Sequence, residues 1–247
     1  MGEKPQILLV IAFISSLFMS VANAADGQDF WLWSGVKTGA ALRDARTVYL
    51  HQGDVITLSG TAVFERKGLP VSRLTFPQIW LTVRLTTLDV SDEMLARLNR
   101  LLLRWQAAGN NVAGLQIDFD AATHRLDHYA QFLHRLREIL SPQFALGVTG
   151  LLDWAKTGSV KTLNALPVDE LVVQSYQGRN TVEDYTAYLP ALAGLRIPFK
   201  IGRVQNGVWD PHEEQRLAAS PWYRGTVTFM LNPEHVPGGG SSRRDYQ

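Results

Sequence analysis

The stretch Gly114-Leu115-Gln116-Ile117-Asp118-Phe119-Asp120 decides how this chain folds. Side chains on a strand alternate between faces with period 2, so Leu115, Ile117 and Phe119 share one face while Gln116, Asp118 and Asp120 share the other. The apolar set packs on helices. The acids need water or partners, because burying an unpaired carboxylate is costly. A strand ending in two acids on its inner face therefore belongs where a barrel or sheet opens to a wet cleft, and α/β enzymes keep their sites at that end of the strands.

Further apolar runs of strand length surround this one: Phe30 to Ser34, Thr47 to Gln52, Gln78 to Leu85, Phe144 to Thr149, Leu171 to Tyr176, Phe199 to Val204 and Thr226 to Leu231. With the run from Val112 to Asp120 they make eight candidate strands. Helical patterns lie between them. Ser91 is placed to cap a helix with Met94, Leu95, Leu98, Leu101, Leu102 and Trp105 on one face, and Val90 with Leu95 as a staple. Tyr129, Phe132, Leu133, Leu136 and Leu140 form a second stripe. Thr181-Val182-Glu183-Asp184 reads as a capping box opening a third helix.

This alternation predicts an α/β protein, a small single-domain (β/α)8 TIM-like barrel, with a doubly wound open sheet as the alternative. Gly60, Gly68 and Pro70 interrupt any helical period between Val55 and Phe76, so a hairpin is expected to replace the second helix.

Outside the barrel, Lys4, the apolar run Ile7 to Val21 and the small residues of Ala22-Asn23-Ala24 have the form of a signal peptide ending at residue 24. The run is shorter than the ~20 residues needed to span a bilayer. The barrel is expected over residues 25–235. The Gly- and Ser-rich end, residues 236–247, reads as a disordered tail. Localisation is therefore expected to be periplasmic or secreted. With no cysteine in the chain, neither a disulfide nor a lipidated cysteine is available. A formal net charge of +1 gives no case for nucleic acid or an anionic membrane as partner. Seven tryptophans in an exported chain lean mildly toward stacking on sugars.

The same parity reading on other strands selects candidates for the mouth. Arg84 and Thr82 lie opposite Leu81, Val83 and Leu85, and Gln174 and Tyr176 lie opposite Leu171, Val173 and Ser175. Trp33, Asp153, Trp154, Gln205, Asn206 and Asn232 follow or end other strands. Asp118 and Asp120 are the candidate catalytic acids. Arg84, Gln174, Tyr176, Trp33, Asp153, Trp154 and Gln205 are the candidate substrate-binding residues.

Other chemistries are disfavoured. His124 and His128 share a helix face opposite the apolar stripe, which looks at solvent, so no metal is expected there. Asp118 and Asp120 have oxygen ligands for Mg²⁺ or Ca²⁺, but no further acids cluster near them in sequence. The phosphate-binding Gly loop is absent, and so is Gly-x-Ser-x-Gly, which argues against a serine esterase. No cofactor is expected.

The runs Gly-Leu-Gln-Ile-Asp-Phe-Asp (114–120), Gly-Leu-Leu-Asp-Trp (150–154), Gln-Ser-Tyr-Gln-Gly-Arg (174–179) and Pro-Phe-Lys-Ile-Gly (198–202) resemble an uncharacterised bacterial domain-of-unknown-function family, DUF3142-like. More distantly the chain is similar to family 18 chitinase-type barrels, whose fourth strand ends in Asp-x-x-Asp-x-Asp-x-Glu. Asp118 and Asp120 match the second and third aspartates, and Tyr176 is similar to a sixth-strand Tyr that contacts the substrate acetamido group. The first Asp falls on Leu115 and the final acid on Ala122. The resemblance implies a glycoside-hydrolase-like protein with a polysaccharide or oligosaccharide as partner. A carbohydrate-binding barrel without the acid, and a scaffold protein, are the alternatives. The sequence leaves oligomeric state open.

Overall fold

The computed structural model describes residues 28–36 and 42–232. The signal peptide expected over 1–24 and the disordered tail expected over 236–247 lie outside the described residues.

Eight parallel strands close into a barrel: β1 (Gln28–Leu32), β2 (Ala45–Leu58), β4 (Gln78–Leu85), β5 (Val112–Asp118), β6 (Ala145–Leu151), β7 (Glu170–Gln174), β10 (Phe199–Val204) and β11 (Tyr223–Met230). Closure comes from β1, which pairs with β11 on one side and β2 on the other. The open-sheet alternative is thereby excluded. All eight apolar runs are strands. β3 (Thr61–Arg66) returns antiparallel along the far end of β2, so a hairpin does stand where a second helix would be. Gly53 permits that close return: a Cβ there would lie 2.2 Å from the Glu65 carbonyl oxygen.

Among the described residues, helices follow four of the strands. α1 (Asp92–Ala107) follows β4, α2 (Leu126–Ile139) follows β5, the short α3 (Asp153–Thr157) and α4 (Val160–Asn164) follow β6, and α5 (Pro211–Leu217) follows β10. Ser91 caps α1 by accepting from the Met94 amide at 3.2 Å. Leu95, Leu98, Leu101, Leu102 and Trp105 are buried along one stripe of α1, and Tyr129, Phe132, Leu133 and Leu136 along α2. They cover the outer faces of Leu115 and Ile117, both 0% exposed.

The helix expected to open at Thr181 is not there. Thr181 pairs with Tyr176 in a small hairpin, β8 (Tyr176–Gln177) with β9 (Asn180–Thr181). Its hydroxyl donates to the Val208 carbonyl at 3.1 Å, and Asp184 is left-handed at φ 54°. With the cap hydroxyl engaged elsewhere, residues 185–187 and 189–194 wind as 3-10 turns instead.

The barrel interior is a second, aromatic core of Trp31, Tyr49, Trp80, Val172 and Val227. Trp80 fits because its inward neighbours are Gly114 and Gly147; a Cβ on either would sit 2.9 or 3.0 Å from the indole. The N-terminal end is plugged by charges. Lys200 Nζ lies 2.9 Å from Asp29 and 3.0 Å from Glu170, and it donates to Tyr49 Oη at 2.8 Å. Arg46 forks onto both Asp29 oxygens at 3.1 and 3.0 Å. Burial alone would raise the Asp29 carboxyl, but Arg46 and Lys200 outweigh it and hold it below its ordinary value.

Candidate active site at the barrel mouth

Strand parity brings the two acids where expected. Gln116 is 0% exposed inside the barrel, where its side-chain oxygen accepts from Trp31 Nε1 at 2.6 Å and Thr82 Oγ1 at 3.1 Å. One step up the same face, Asp118 reaches the C-terminal mouth and Asp120 continues beyond it, exposed. A cavity of about 490 Å³ opens there, lined by Trp33, Arg84, Asp118, Asp120, Gln174 and Tyr176 among others. A neighbouring one of about 470 Å³ is lined by Asp120, Asp153, Gln174 and Tyr176 among others, so Asp120, Gln174 and Tyr176 border both.

Asp118 is the most perturbed acid of the mouth. Burial pushes its carboxyl up to about 6; the Asp120 charge adds to that, while a 2.7 Å hydrogen bond from Thr149 Oγ1 and the Arg84 charge pull it back. Arg84 is directly opposite Asp118 in the β4–β5 register, with its guanidinium carbon 5.7 Å from the centroid of the Trp33 ring. Burial, then the charges of Asp118 and Asp120, raise the Tyr176 phenol well above its ordinary value, so it stays a donor. Its ring stacks on Phe229 at 5.0 Å.

The remaining candidates divide. Asp153 borders the second cavity and accepts from Thr123 Oγ1 at 2.5 Å. Trp154 is not a platform: it is 1% exposed, and its indole N–H donates to the Ala121 carbonyl at 2.9 Å, which makes it core. Gln205 lies away from both cavity linings and accepts from the Leu231 amide at 3.0 Å, tying the β10 and β11 ends together. Asn206 takes a left-handed turn at φ 61°. Asn232 joins the rim by donating to the Gly35 carbonyl at 3.1 Å, and its own carbonyl accepts from Arg179 at 2.9 Å. His124 and His128 are exposed. Among the described residues, no group of three or more His, Cys, Asp or Glu is placed to hold a metal ion.

One part of the mouth is not legible in the sequence. His51 and Asp54, three apart on β2, would face opposite sides of a regular strand. A bulge between His51 and Gly53 resets the register, so that His51 faces Thr82 and Asp54 faces Arg84. The displaced Gln52 turns outward to accept from Trp105 Nε1 at 3.1 Å. His51 Nε2 and Asp54 Oδ1 then meet at 2.8 Å, Lys67 Nζ donates to Asp54 Oδ2 at 2.6 Å, and Ser34 Oγ lies 2.7 Å from His51 Nδ1. Trp33 stacks on the imidazole at 3.9 Å and 8°. No alternation rule could have shown this, because the bulge breaks the alternation.

A larger cavity, about 900 Å³, opens at the opposite end and includes Asp29, Arg46, Glu170 and Lys200. Those charges are satisfied by one another, which fits a structural plug better than a site.

Residues 72–184 match the family described as Domain of unknown function (DUF3142). The matched span runs from before β4 through β9, so it contains Arg84, Asp118, Asp120, Asp153, Gln174 and Tyr176; Trp33, Ser34, His51 and Asp54 precede it. No curated protein matches the chain. Among solved structures, the xylanase-alpha-amylase inhibitor protein XAIP-I in complex with trehalose is similar at 12% identity. That match covers 82% of this chain and 93% of the inhibitor, with a TM-score of 0.58. The inhibitor form XAIP-III is similar at 13% identity over 83% of this chain and 93% of its own, with a TM-score of 0.57. The chitinase domain of the spore coat protein CotE from Clostridium difficile aligns at 13% identity over 74% of this chain and 67% of that one, with a TM-score of 0.46. The two inhibitor likenesses show a shared barrel fold.

Proposed function

We propose that the chain is an exported glycoside-hydrolase-like protein, periplasmic or secreted, that acts on a polysaccharide at the C-terminal mouth of its barrel. The observation that carries this reading is Asp118, a carboxyl raised to about 6 at the edge of an open cavity. A general acid must keep its proton well above the ordinary carboxylate range, and burial beside a second acid is how proteins arrange that. Asp118 gives its proton to the glycosidic oxygen. Asp120 and Asp153 border the adjoining cavity and present the carboxylates that stabilise the developing positive charge and orient water. Tyr176 and Gln174 orient the sugar, Trp33 lines the mouth beside it, and Arg84 tunes the acids. The trehalose complex of XAIP-I supports the reading to the extent that a barrel of similar fold accommodates a sugar.

A second reading is a carbohydrate-binding barrel that does not hydrolyse. Ala122 favours it, because the acid that ends the family 18 strand motif is an alanine in this chain.

The test is a screen of the purified mature chain against N-acetylated and neutral polysaccharides, scoring both reducing-end release and binding. Release lost in Asp118→Asn and Asp120→Asn supports the first reading. Binding without release supports the second. Release that survives both substitutions overturns the site.

A further inference from the structure

We propose that Ser34, His51 and Asp54 form a nucleophilic relay, and that the barrel mouth carries a serine acyl-transfer activity toward carboxylic esters borne on a saccharide. This goes beyond glycosidic hydrolysis and does not depend on it; the missing Gly-x-Ser-x-Gly argues only against a serine on that strand-to-helix elbow, and Ser34 is not on one. Three features of the geometry carry it.

First, the hydrogen bonds have a definite sense. The Ser34 backbone N–H, which can only donate, reaches His51 Nδ1 at 3.4 Å, so Nδ1 is the unprotonated nitrogen and also the acceptor of the Ser34 hydroxyl at 2.7 Å. Nε2 then carries the ring proton and gives it to Asp54 at 2.8 Å. That is a nucleophile on a base whose tautomer is fixed by a carboxylate, an arrangement recognised by geometry rather than by sequence position. Second, the bulge exists at the residue that must be displaced for His51 and Asp54 to converge, and bulges are concentrated beside active sites, where they re-aim side chains. Third, the imidazole cannot swing away, because Trp33 lies flat against it. Burial holds His51 below its ordinary value, against the pull of Asp54, which leaves it a neutral base. Burial would raise Asp54, but Lys67 and His51 overcome it and keep it ionised.

Ser34 is only partly buried, and it sits between Trp33 and Val36, both of which line the mouth cavity. An ester on a sugar held by Trp33 is thus presented to its hydroxyl. In the first half-reaction the Ser34 Oγ–carbon bond forms as the proton passes to His51 Nδ1. The bond from the acyl carbon to the sugar oxygen then breaks, and that oxygen takes the proton from Nδ1. In the second, water gives a proton to Nδ1 and its oxygen bonds the acyl carbon. The bond to Oγ then breaks, Ser34 recovers the proton, and the carboxylic acid leaves. Arg84, whose guanidinium lies over the neighbouring Trp33 ring, is the cation we assign to the transient oxyanion.

The probe is an alkyl fluorophosphonate, in which an Oγ–phosphorus bond forms as fluoride leaves, applied to the full chain and located by peptide mass spectrometry. Hydrolysis of p-nitrophenyl acetate is followed in parallel. Ser34 is expected to carry the label, and Ser34→Ala to lose both the label and at least ~10²-fold of the hydrolysis rate. A second variant guards against misfolding. The chain has no cysteine, so Ser34→Cys introduces a single thiol, which His51 is expected to activate toward iodoacetamide; the acceleration disappears when His51→Gln is added. Absence of label on the folded wild type, label at another serine, or Ser34→Cys alkylation indifferent to His51 overturns the proposal. Neither assay contains a polysaccharide, so these outcomes are independent of whether glycosidic bonds are cut.

Discussion

Thr149 Oγ1 donates to Asp118 Oδ1 at 2.7 Å across the β5–β6 boundary, at the buried edge of the mouth. It moderates, without cancelling, the burial that raises Asp118 to about 6. A group whose folded value is raised above its unfolded one, here from 3.8, destabilises the fold when ionised. The fold binds more protons than the unfolded chain between about pH 4 and 6. Stability is therefore lost as pH rises through that window.

Asp118→Asn removes the ionisation while keeping an oxygen for Thr149. It should stabilise the protein at pH 8 by on the order of 1–3 kcal/mol and leave stability at pH 4 nearly unchanged. Urea unfolding of both proteins at the two pH values checks this. Equal or lower stability of the variant at pH 8 would contradict it. A gain in stability alongside a loss of activity is the pattern expected of a functional acid.

Trp33 and Trp154 should behave oppositely. Trp154→Ala empties a fully enclosed site and should cost about 3–5 kcal/mol. Trp33→Ala removes a half-buried ring at the mouth, with a stability cost below about 2 kcal/mol from the lost stacking and cation–π contacts. Its main effect should fall on saccharide affinity. Thermal melting paired with oligosaccharide titration separates the two, and a Trp33→Ala protein that binds sugar as the wild type does would remove it from the site.

Lys200→Met leaves Asp29 and Glu170 without their shared cation inside the barrel. Breaking a buried ion network by removing one member should cost about 3–5 kcal/mol. Chemical denaturation reads this directly. A change under 1 kcal/mol, on the order of an exposed pair, would show that the plug is solvated.

The readable and unreadable parts of this molecule differ in a physical way. Strands with one helix-covered face leave unbroken apolar runs, and so all eight were visible, as was the break at Gly60, Gly68 and Pro70 that became the β2–β3 hairpin. Period-2 alternation placed Arg84, Asp118, Gln174 and Tyr176 on inner faces without knowledge of any partner strand. It failed wherever a long-range contact decided the outcome. At the bulge, Gln52 is held by Trp105, distant in sequence, and His51 and Asp54 pass from opposite faces to neighbours. Trp154 is removed from the mouth by its bond to Ala121. Thr181 has the sequence neighbours of a helix cap, but its hydroxyl is held by Val208.

The account depends most on Asp118 keeping its proton to a higher pH than an ordinary aspartate does. Carboxyl carbon NMR of protein labelled at aspartate, assigned with Asp118→Asn and titrated from pH 3 to 8, measures this directly. The account predicts that Asp118 titrates with a midpoint near 6, and that Thr149→Val moves the midpoint higher by removing a donor to the charged form. A wild-type midpoint at or below about 4, the ordinary aspartate range, would contradict it.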